Sequence, residues 1–400
     1  MKKNITTLKF LRNTVVVAAA ALLAMGMANC ERRDLWVYGD EFDQVLLNID
    51  WRNYMRDKQL YPYSPDPAGM TVWIFPMDGE ATGRRSYRTT TTEVRHFETY
   101  LSAGDYRAVT IDYSPEEYGH QQFVNMEWVN TAKVEAVKHS YSDEMSEGEV
   151  HLFGPKSYGG TPAITETGPT GLYQISYDPE DMASDTTDMT INSGKYDDYI
   201  PYEEYEEYQE TLKKQEFDVM PLIVPWRMRI RVYVRGIYYL YNMKGSIAGL
   251  ADGFMLGLNH TSDQPCIQYL DNWEAKVTGD NVGYVALTFK TWGLRNSMWP
   301  DMSQDHTKSA GTAKDLRLNL KFVLRDRKTE LFYHYDVGDL VRIYNNEYAL
   351  RIDLEDGFVG TCDGEPVPQP DLPYAEPVNG AGFDGIVVPW EDEKPANITF

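Results

Sequence analysis

Cys30 is the residue whose surroundings most clearly point to a chemical modification. It follows a basic start, with four Lys or Arg residues and no acidic residue, and then an apolar run of 12 residues, Thr14–Met25. That run suits the core of a secretory signal peptide and is too short to span a membrane, which takes about 20 residues. We therefore predict that residues 1–29 are a signal peptide, which ends directly before Cys30.

The segment Met27-Ala28-Asn29-Cys30 resembles the lipobox of bacterial lipoproteins. The resemblance implies that Cys30 is diacylated and becomes the first residue of the mature chain. Met27 and Asn29 depart from the usual leucine and small residue, and an ordinary signal peptide with a chance cysteine is the alternative. Acyl chains give stable anchoring because each buried methylene contributes about 0.8 kcal/mol. No other stretch reaches about 18 consecutive apolar residues, so lipid is the expected membrane attachment.

Two further cysteines, Cys266 and Cys362, complete the set of three. In an oxidising compartment they could form one disulfide, because pairing is permitted there. They could equally be two buried thiols, and the sequence does not decide between these alternatives.

Sequence motifs for catalysis are missing. The chain contains no G-x-S-x-G, H-E-x-x-H, C-x-x-C, phosphate-binding loop or dinucleotide-binding glycine pattern. The seven histidines lack metal-ligand spacing, and 61 acidic residues produce carboxylate pairs by number alone. We predict no enzymatic activity, no cofactor and no metal site.

Charge excludes one class of partner. The 400-residue chain has a formal net charge of −23, so it would repel a nucleic-acid backbone. With 42% hydrophobic and 13% aromatic residues it can bury a core, and its length suggests about two domains.

The mature chain predicts an all-β protein. Residues 45–51 alternate, residues 70–76 form a short apolar run with β-branched and aromatic residues, and 104–113 is a further strand candidate, with turn residues between them. Strands of this length and spacing favour a β-sandwich over β-α-β units. We assign residues 30–178 to a first β-sandwich.

We predict that residues 179–215 form an acidic linker that ends in a short helix. Asp, Glu, Ser, Thr and Gly dominate its first part, and tyrosines recur every third position from Tyr196 to Tyr208. Pro201 suits the first turn of a helix. We expect the tyrosine side to pack on a domain; binding of a basic partner or a metal ion is the alternative.

A second β-sandwich is predicted over residues 216–362. Residues 226–235 alternate throughout, with Trp226, Met228, Ile230, Val232 and Val234 on one side, and on the other Arg227, Arg229, Arg231, Tyr233 and Arg235. This pattern is typical of a half-buried antiparallel strand. The arginines pair with carboxylates on neighbouring strands or form a ligand site. The strand at 316–324 is expected to bury Leu316, Leu318, Leu320 and Phe322 and to expose the residues between them.

We predict that the remaining residues, 363–400, form a Pro-rich spacer followed by a terminal strand at Ile386–Val388. A strand at the end of a spacer can pair at a distance, within the fold or with another subunit.

Three segments together resemble a known family: the stretch from Cys30 to Trp51, the run from Val224 to Phe254, and the ending from Ile386 to Phe400. They are similar to Bacteroidetes outer-membrane lipoproteins of the fimbrillin-associated anchor kind, and in particular to the DUF5119 group. The resemblance implies two transthyretin-like β-sandwich domains, lipid attachment to the outer membrane, exposure at the cell surface, and assembly with pilin-like subunits by strand addition. The expected role is that of a fimbrial anchor or accessory adhesion subunit.

A glycan-binding surface lipoprotein is the alternative function. Nine tryptophans and 29 tyrosines would suit stacking on sugar rings, although aromatic residues are also common in strands.

Overall fold

The computed structural model describes residues 42–53, 66–140, 174–191, 215–297, 316–344 and 349–378. The predicted signal peptide, Cys30, the tyrosine-rich segment and the predicted terminal strand lie outside the described residues. Within the described part, no helix is long and apolar enough to cross a membrane.

The described chain is all-β, as predicted. Among the described residues there is one α-helix, α1, which spans the four residues Gly79–Thr82. The strands are β1 Phe42–Ile49, β2 Met70–Pro76, β3 Tyr87–Thr91, β4 His96–Ser102, β5 Gly104–Asp112, β6 Gln121–Val124, β7 Lys133–Ala136, β8 Lys138–Ser140, β9 Gln174–Ser176, β10 Ala183–Ile191, β11 Gln215–Val219, β12 Leu222–Ile223, β13 Trp226–Arg235, β14 Leu240–Ala251, β15 Gly253–Met255, β16 His260–Thr261, β17 Pro265–Leu270, β18 Glu274–Gly279, β19 Val282–Thr291, β20 Arg317–Leu324, β21 Glu330–Asp336, β22 Arg342–Tyr344, β23 Ala349–Leu354, β24 Val359–Cys362 and β25 Glu365–Pro368.

Local alternation predicted several strands well. In β13 the five residues Trp226, Met228, Ile230, Val232 and Val234 are buried, and the residues between them are at least partly exposed. A period of two places alternate side chains on opposite faces, so one face of β13 enters the core.

Two sheets enclose the first of two hydrophobic cores. A three-stranded sheet in the order β11-β1-β4 and a five-stranded sheet in the order β12-β10-β5-β2-β3 contribute its buried side chains. These include Val45 and Leu47 of β1, Val72 of β2 and Met189 of β10. Strands β1 and β11 run parallel, although they are more than 160 positions apart in the sequence.

A second, larger core lies among the remaining sheets. A five-stranded sheet in the order β18-β19-β13-β23-β22 and a six-stranded sheet in the order β21-β20-β14-β17-β9-β8 supply most of it. The other face of the first five-stranded sheet also contributes, through Trp73, Phe75, Val109 and Ile111. Alternate residues of β2 and β5 therefore belong to different cores.

Strands from both predicted sandwiches share sheets. The four-stranded sheet has the order β16-β15-β7-β6, so β7 pairs with β15 across the predicted boundary at residue 178. Lys133 of β7 binds Asp252 and Glu135, each with a 2.8 Å contact from its ammonium nitrogen. Strand β9 likewise pairs with β17. The division of the chain into two independent sandwiches stays a prediction.

The segment predicted as an acidic linker contains β10, which is a correction to that expectation. Ala183, Met189 and Ile191 are buried, and the strand pairs with β5 over eight residue positions. Its polar residues concealed the strand from pattern analysis, because a strand that buries one face needs few apolar residues. Gln215 also begins β11, so the predicted boundary at 215 falls at the first residue of a strand.

Strand β20 is buried on both faces, contrary to the expected inward and outward alternation. Arg317 binds Asp336 and Asp363, and Lys321 binds Glu330. Ion pairing makes the burial of such charged side chains tolerable. Asp363 belongs to the turn of the β24–β25 hairpin, which crosses the predicted start of the spacer at residue 363.

Candidate functional site

A groove runs between two sheet edges, and we call it the edge groove. Strand β3 is the last strand of its sheet and β4 the last of the sheet opposite, within the part of the chain that the structure describes. Four residues, 92–95, connect them. The groove has a volume of about 620 Å³ and is lined by Leu46, Thr89, Thr91, Glu93, His96, Phe97 and Glu98.

Buried apolar residues and exposed polar residues both line the edge groove. Leu46 and Phe97 are buried, whereas Thr89, His96 and Glu98 are exposed. At one end the two sheets are tied by a 3.0 Å hydrogen bond between the Tyr87 and Thr99 hydroxyl groups. Burial raises the pKa of Tyr87 to about 12, so this hydroxyl stays protonated at physiological pH.

Strands β3 and β4 are each paired on one side within the described residues. Strand β3 pairs with β2 through Tyr87–Thr91, and β4 pairs with β1 through all seven of its residues. Each edge strand has a second side whose backbone groups can pair with an added strand. An extended peptide could therefore pair with either edge strand through main-chain hydrogen bonds.

The predicted arginine row lies on the outer face of the second five-stranded sheet. Arg231 binds Asp353 of β23 with a distance of 2.8 Å, and Arg235 binds Asp356 at 3.3 Å. Pairing with carboxylates of neighbouring elements, the first of the two interpretations, thus holds for these two arginines. Arg227 and Arg229 lie on the same face and are partly exposed.

Cys266 and Cys362 are separate thiols in the structure, and Cys266 is buried whereas Cys362 is partly exposed. Cys266 is buried in β17, where its thiol lies 3.3 Å from the Ala251 carbonyl oxygen. Cys362 ends β24 in a different sheet, and its thiol lies 3.7 Å from an Asp363 carboxylate oxygen. Cys30, the predicted lipidation residue, lies outside the described residues.

Tryptophans do not form an exposed platform in the described part of the chain. Five of the six tryptophans in the described residues are buried in the two cores: Trp51, Trp73, Trp226, Trp273 and Trp292. The sixth, Trp128, is partly exposed. The sequence alone does not distinguish a core tryptophan from a sugar-stacking one. The edge groove cannot be predicted from it either, since β3 is polar and carries no strong strand pattern.

A search of the described residues finds no group of three or more His, Cys, Asp or Glu side chains placed to hold a metal ion. The two candidate sites described above are both surfaces. One is the edge groove, and the other is the face of the second five-stranded sheet that carries the arginine row.

The described part of the chain is all-β and is built of several sheets, as in β-sandwich proteins. The model of the family described as "Domain of unknown function (DUF5119)" matches residues 29–271, more than half of the chain. The protein is a member of this family, as the resemblance in its sequence indicated. No curated protein matches it.

Solved structures from Bacteroidetes show limited likeness. A "putative adhesin" from Bacteroides ovatus is 18% identical, with 91% of this chain and 98% of that chain covered and a TM-score of 0.47. The fimbrial anchor protein Mfa2 from Porphyromonas gingivalis is 12% identical, with 78% and 89% covered and a TM-score of 0.38. Because both TM-scores are below 0.5, nothing about this chain's role follows from these likenesses.

Proposed function

We propose that this protein is a lipid-anchored surface protein of the outer membrane that acts as a fimbrial anchor or accessory adhesion subunit and accepts a strand from a partner subunit. The observation that carries the proposal is the edge groove. Strands β3 and β4 each end a sheet and line the same groove, and an exposed sheet edge is the feature that strand addition uses.

Two features of the sequence support the location and the class of partner. The segment ending at Cys30 resembles a lipobox, and the chain resembles fimbrillin-associated anchor proteins. A lipid at residue 30 would lie 12 residues before β1, whose partner β4 forms one side of the edge groove. The groove would then sit close to the anchored end of the chain.

Site-specific photo-cross-linking on intact cells of the source organism tests strand acceptance. A photoreactive residue replaces Thr91 inside the edge groove, and a matched one replaces Glu80, an exposed residue of α1 in the same part of the chain. We expect Thr91 to capture an extended segment of a pilin-like subunit and Glu80 to capture none. Equal products from both positions, or none from Thr91, would contradict strand acceptance.

Mass spectrometry of the mature N-terminus tests the anchor separately. An acylated Cys30 is expected, and release of the protein from membranes on Cys30→Ser should follow. An unmodified Cys30, or a protein that stays soluble in the periplasm, would contradict lipid anchoring and leave the result at Thr91 to be judged alone.

A further inference from the structure

Residues 369–378 follow the β24–β25 hairpin, and we call them the strap. Near its start the Leu372 amide donates a 2.9 Å hydrogen bond to the Arg235 carbonyl oxygen, at the end of β13. Near its other end the Val378 amide donates to the Arg325 carbonyl oxygen, at 3.4 Å, in the turn after β20. The strap is therefore attached to both large sheets of the second core.

Tyr374 of the strap is the most exposed large hydrophobic side chain of the described residues, at 73%. Leu372 and Ala375 on either side of it are buried in the second core, and Pro373 restricts the backbone between them. The Tyr374 ring packs edge to face against the Tyr239 ring, with 5.4 Å between the ring centres. The ring is thus open to solvent yet held in place, so a ligand that stacks on it loses little conformational entropy.

A second aromatic ring and a cation lie beside this pair. Tyr241 is two positions after Tyr239, and the Arg327 guanidinium carbon lies 4.5 Å from the centre of the Tyr241 ring. The Arg325 amide donates a 2.9 Å hydrogen bond to the Tyr239 carbonyl oxygen, which places the turn after β20 next to the rings. Stacking orients the Arg327 guanidinium group and leaves its edge able to donate hydrogen bonds. We call Tyr239, Tyr241, Tyr374 and Arg327 the tyrosine cluster.

The formal charges around the tyrosine cluster cancel. The turn contributes Arg325, Asp326, Arg327 and Lys328, and the strap contributes Asp371 and Glu376. Three basic and three acidic residues leave no net charge, so a polymer with one sign of charge is not favoured. Hydroxyl groups suit this mixture, because they accept hydrogen bonds from cations and donate them to carboxylates.

The exposed apolar area favours a sugar over a protein partner. Besides Tyr374, the exposed large hydrophobic side chains of this region are Tyr238, at 40%, and Val378, at 47%. The three together offer about 300 Å², since a whole aromatic side chain offers about 150–250 Å². A stable protein interface buries about 800 Å² on each partner. A sugar needs less, because the carbon-bound hydrogens on the flat face of one sugar ring cover one aromatic ring.

We propose that the tyrosine cluster binds a neutral polysaccharide, with a sugar ring stacked on Tyr374 and its hydroxyl groups bound by Arg327 and by the carboxylates of the strap. The cluster is distinct from the edge groove, so this site does not depend on strand addition. It would give the protein a contact with uncharged glycans.

Isothermal titration of the purified full chain tests this site. The neutral probes are dextran, laminarin, galactomannan and arabinoxylan; sodium polygalacturonate is the charged probe and poly-proline the peptide probe. We expect at least one neutral polysaccharide to bind, with an affinity that changes less than about twofold between about 50 mM and about 500 mM salt. Polygalacturonate should bind at least about tenfold more weakly than that polysaccharide. No binding of any neutral probe would overturn the proposal.

Variants of single side chains locate the binding. Tyr374→Ala should weaken it at least about tenfold, whereas Tyr374→Phe keeps the ring and should stay within about threefold of wild type. Arg327→Gln removes a donor and should weaken binding about threefold or more. Tyr100→Ala is the matched control, since it removes an exposed tyrosine of β4, and should change binding less than about twofold. Because the Tyr374 side chain is exposed, circular dichroism and the unfolding temperature should stay unchanged.

Two results would contradict the assignment. Equal losses for Tyr374→Ala and Tyr100→Ala, or no loss for Tyr374→Ala, would place sugar binding outside the tyrosine cluster. Poly-proline binding that is lost on Tyr374→Ala, together with no sugar binding, would assign the cluster to an extended peptide instead.

Discussion

Arg107 and Gly257 are 150 positions apart in the sequence and are joined by a 2.6 Å hydrogen bond from the arginine Nη1 to the glycine carbonyl oxygen. The same guanidinium group also binds Asp188, with 2.8 Å between Nη2 and the carboxylate oxygen Oδ2. Arg107 is on β5 and Gly257 is in the turn after β15. One side chain therefore ties the first five-stranded sheet to the four-stranded sheet.

Replacing Arg107 with lysine should test that tie. A lysine keeps the charge but cannot bind the Asp188 carboxylate with two nitrogens and the Gly257 carbonyl at once. We expect Arg107→Lys to lower the free energy of unfolding by about 1–2 kcal/mol, measured by urea denaturation. Arg85→Lys is the control, since Arg85 pairs with Glu127 on the exposed surface and should change stability by less than about 0.5 kcal/mol. Equal losses in the two variants would contradict the assignment.

Lys133 should be essential for the contact between β7 and β15. Burial alone would lower its pKa, but its hydrogen bonds to Asp252 and Glu135 outweigh that effect, and the pKa of Lys133 is raised. Burial opposes ionisation of Glu135 as well, yet the hydrogen bond from Lys133 prevails and the pKa of Glu135 is lowered. We expect Lys133→Met to cost about 3 kcal/mol at neutral pH, because it leaves buried Asp252 with only the more distant Lys138 among the ion pairs described.

The cost of Lys133→Met should depend on pH. Without Lys133, the burial of Glu135 is no longer offset by that hydrogen bond, so the pKa of Glu135 rises in the folded variant and the penalty shrinks as falling pH protonates this carboxylate. Thermal unfolding between about pH 4 and about pH 7 measures this trend. Adding Asp252→Asn should recover part of the loss at neutral pH. A penalty that is constant across this range, with no recovery, would show that packing and not charge is responsible.

Asp185 should make the protein less stable as pH rises toward neutrality. Burial raises the pKa of Asp185 to about 6, against the lowering effect of hydrogen bonds from the Met220 and Thr186 amides. Between about pH 4 and pH 6 the folded state holds a proton that the unfolded state has released, so this group's contribution to stability is lost as pH rises. We expect Asp185→Asn to gain about 1–2 kcal/mol relative to wild type between pH 4 and pH 7.

Asp188 on the same strand supplies a control of opposite sign. The hydrogen bond from Arg107 lowers the pKa of Asp188, so its contribution is present above the unfolded pKa and lost as pH falls. Asp188→Asn should therefore cost stability at neutral pH and little in acid. The same pH trend in both variants would contradict the environments described for the two carboxylates.

The two thiols should differ in reactivity. Cys266 is buried, whereas Cys362 is partly exposed, so a maleimide should label Cys362 first in the native protein. Peptide mapping by mass spectrometry reads each site separately. After unfolding without reductant, both should be labelled. Labelling of both only after a reductant is added would establish the disulfide alternative instead.

Strands with a strong local pattern could be predicted from the sequence, and those without one could not. The strands at 70–76 and 226–235 are predicted at their observed bounds. A strand that buries both faces is a continuous apolar run, as in 70–76, and a strand that buries one face alternates, as in 226–235. Strand β10 was mistaken for a linker because its middle, SDTTD, is polar. Strand β14 was missed, since its glycines weaken the pattern that defines a strand.

The arginine-bearing sheet face and the edge groove also differ in how far the sequence predicts them. Alternation in β13 placed its arginines on one face, but the neighbours Arg351 and Arg342 depend on strand pairing. The edge groove could not be predicted, because it exists only where β3 and β4 end two different sheets.

The sequence by itself determined the all-β class, the alternation that gives β13 its buried and charged faces, the acidic net charge and the family. These properties depend on residue types and local spacing. Tertiary structure decided which strands became edges, that β7 pairs with β15 and β1 with β11, and that three arginines stand in register. Pairing between distant strands is selected by the burial of whole faces against each other, and that free energy is a property of the folded chain and not of any one segment.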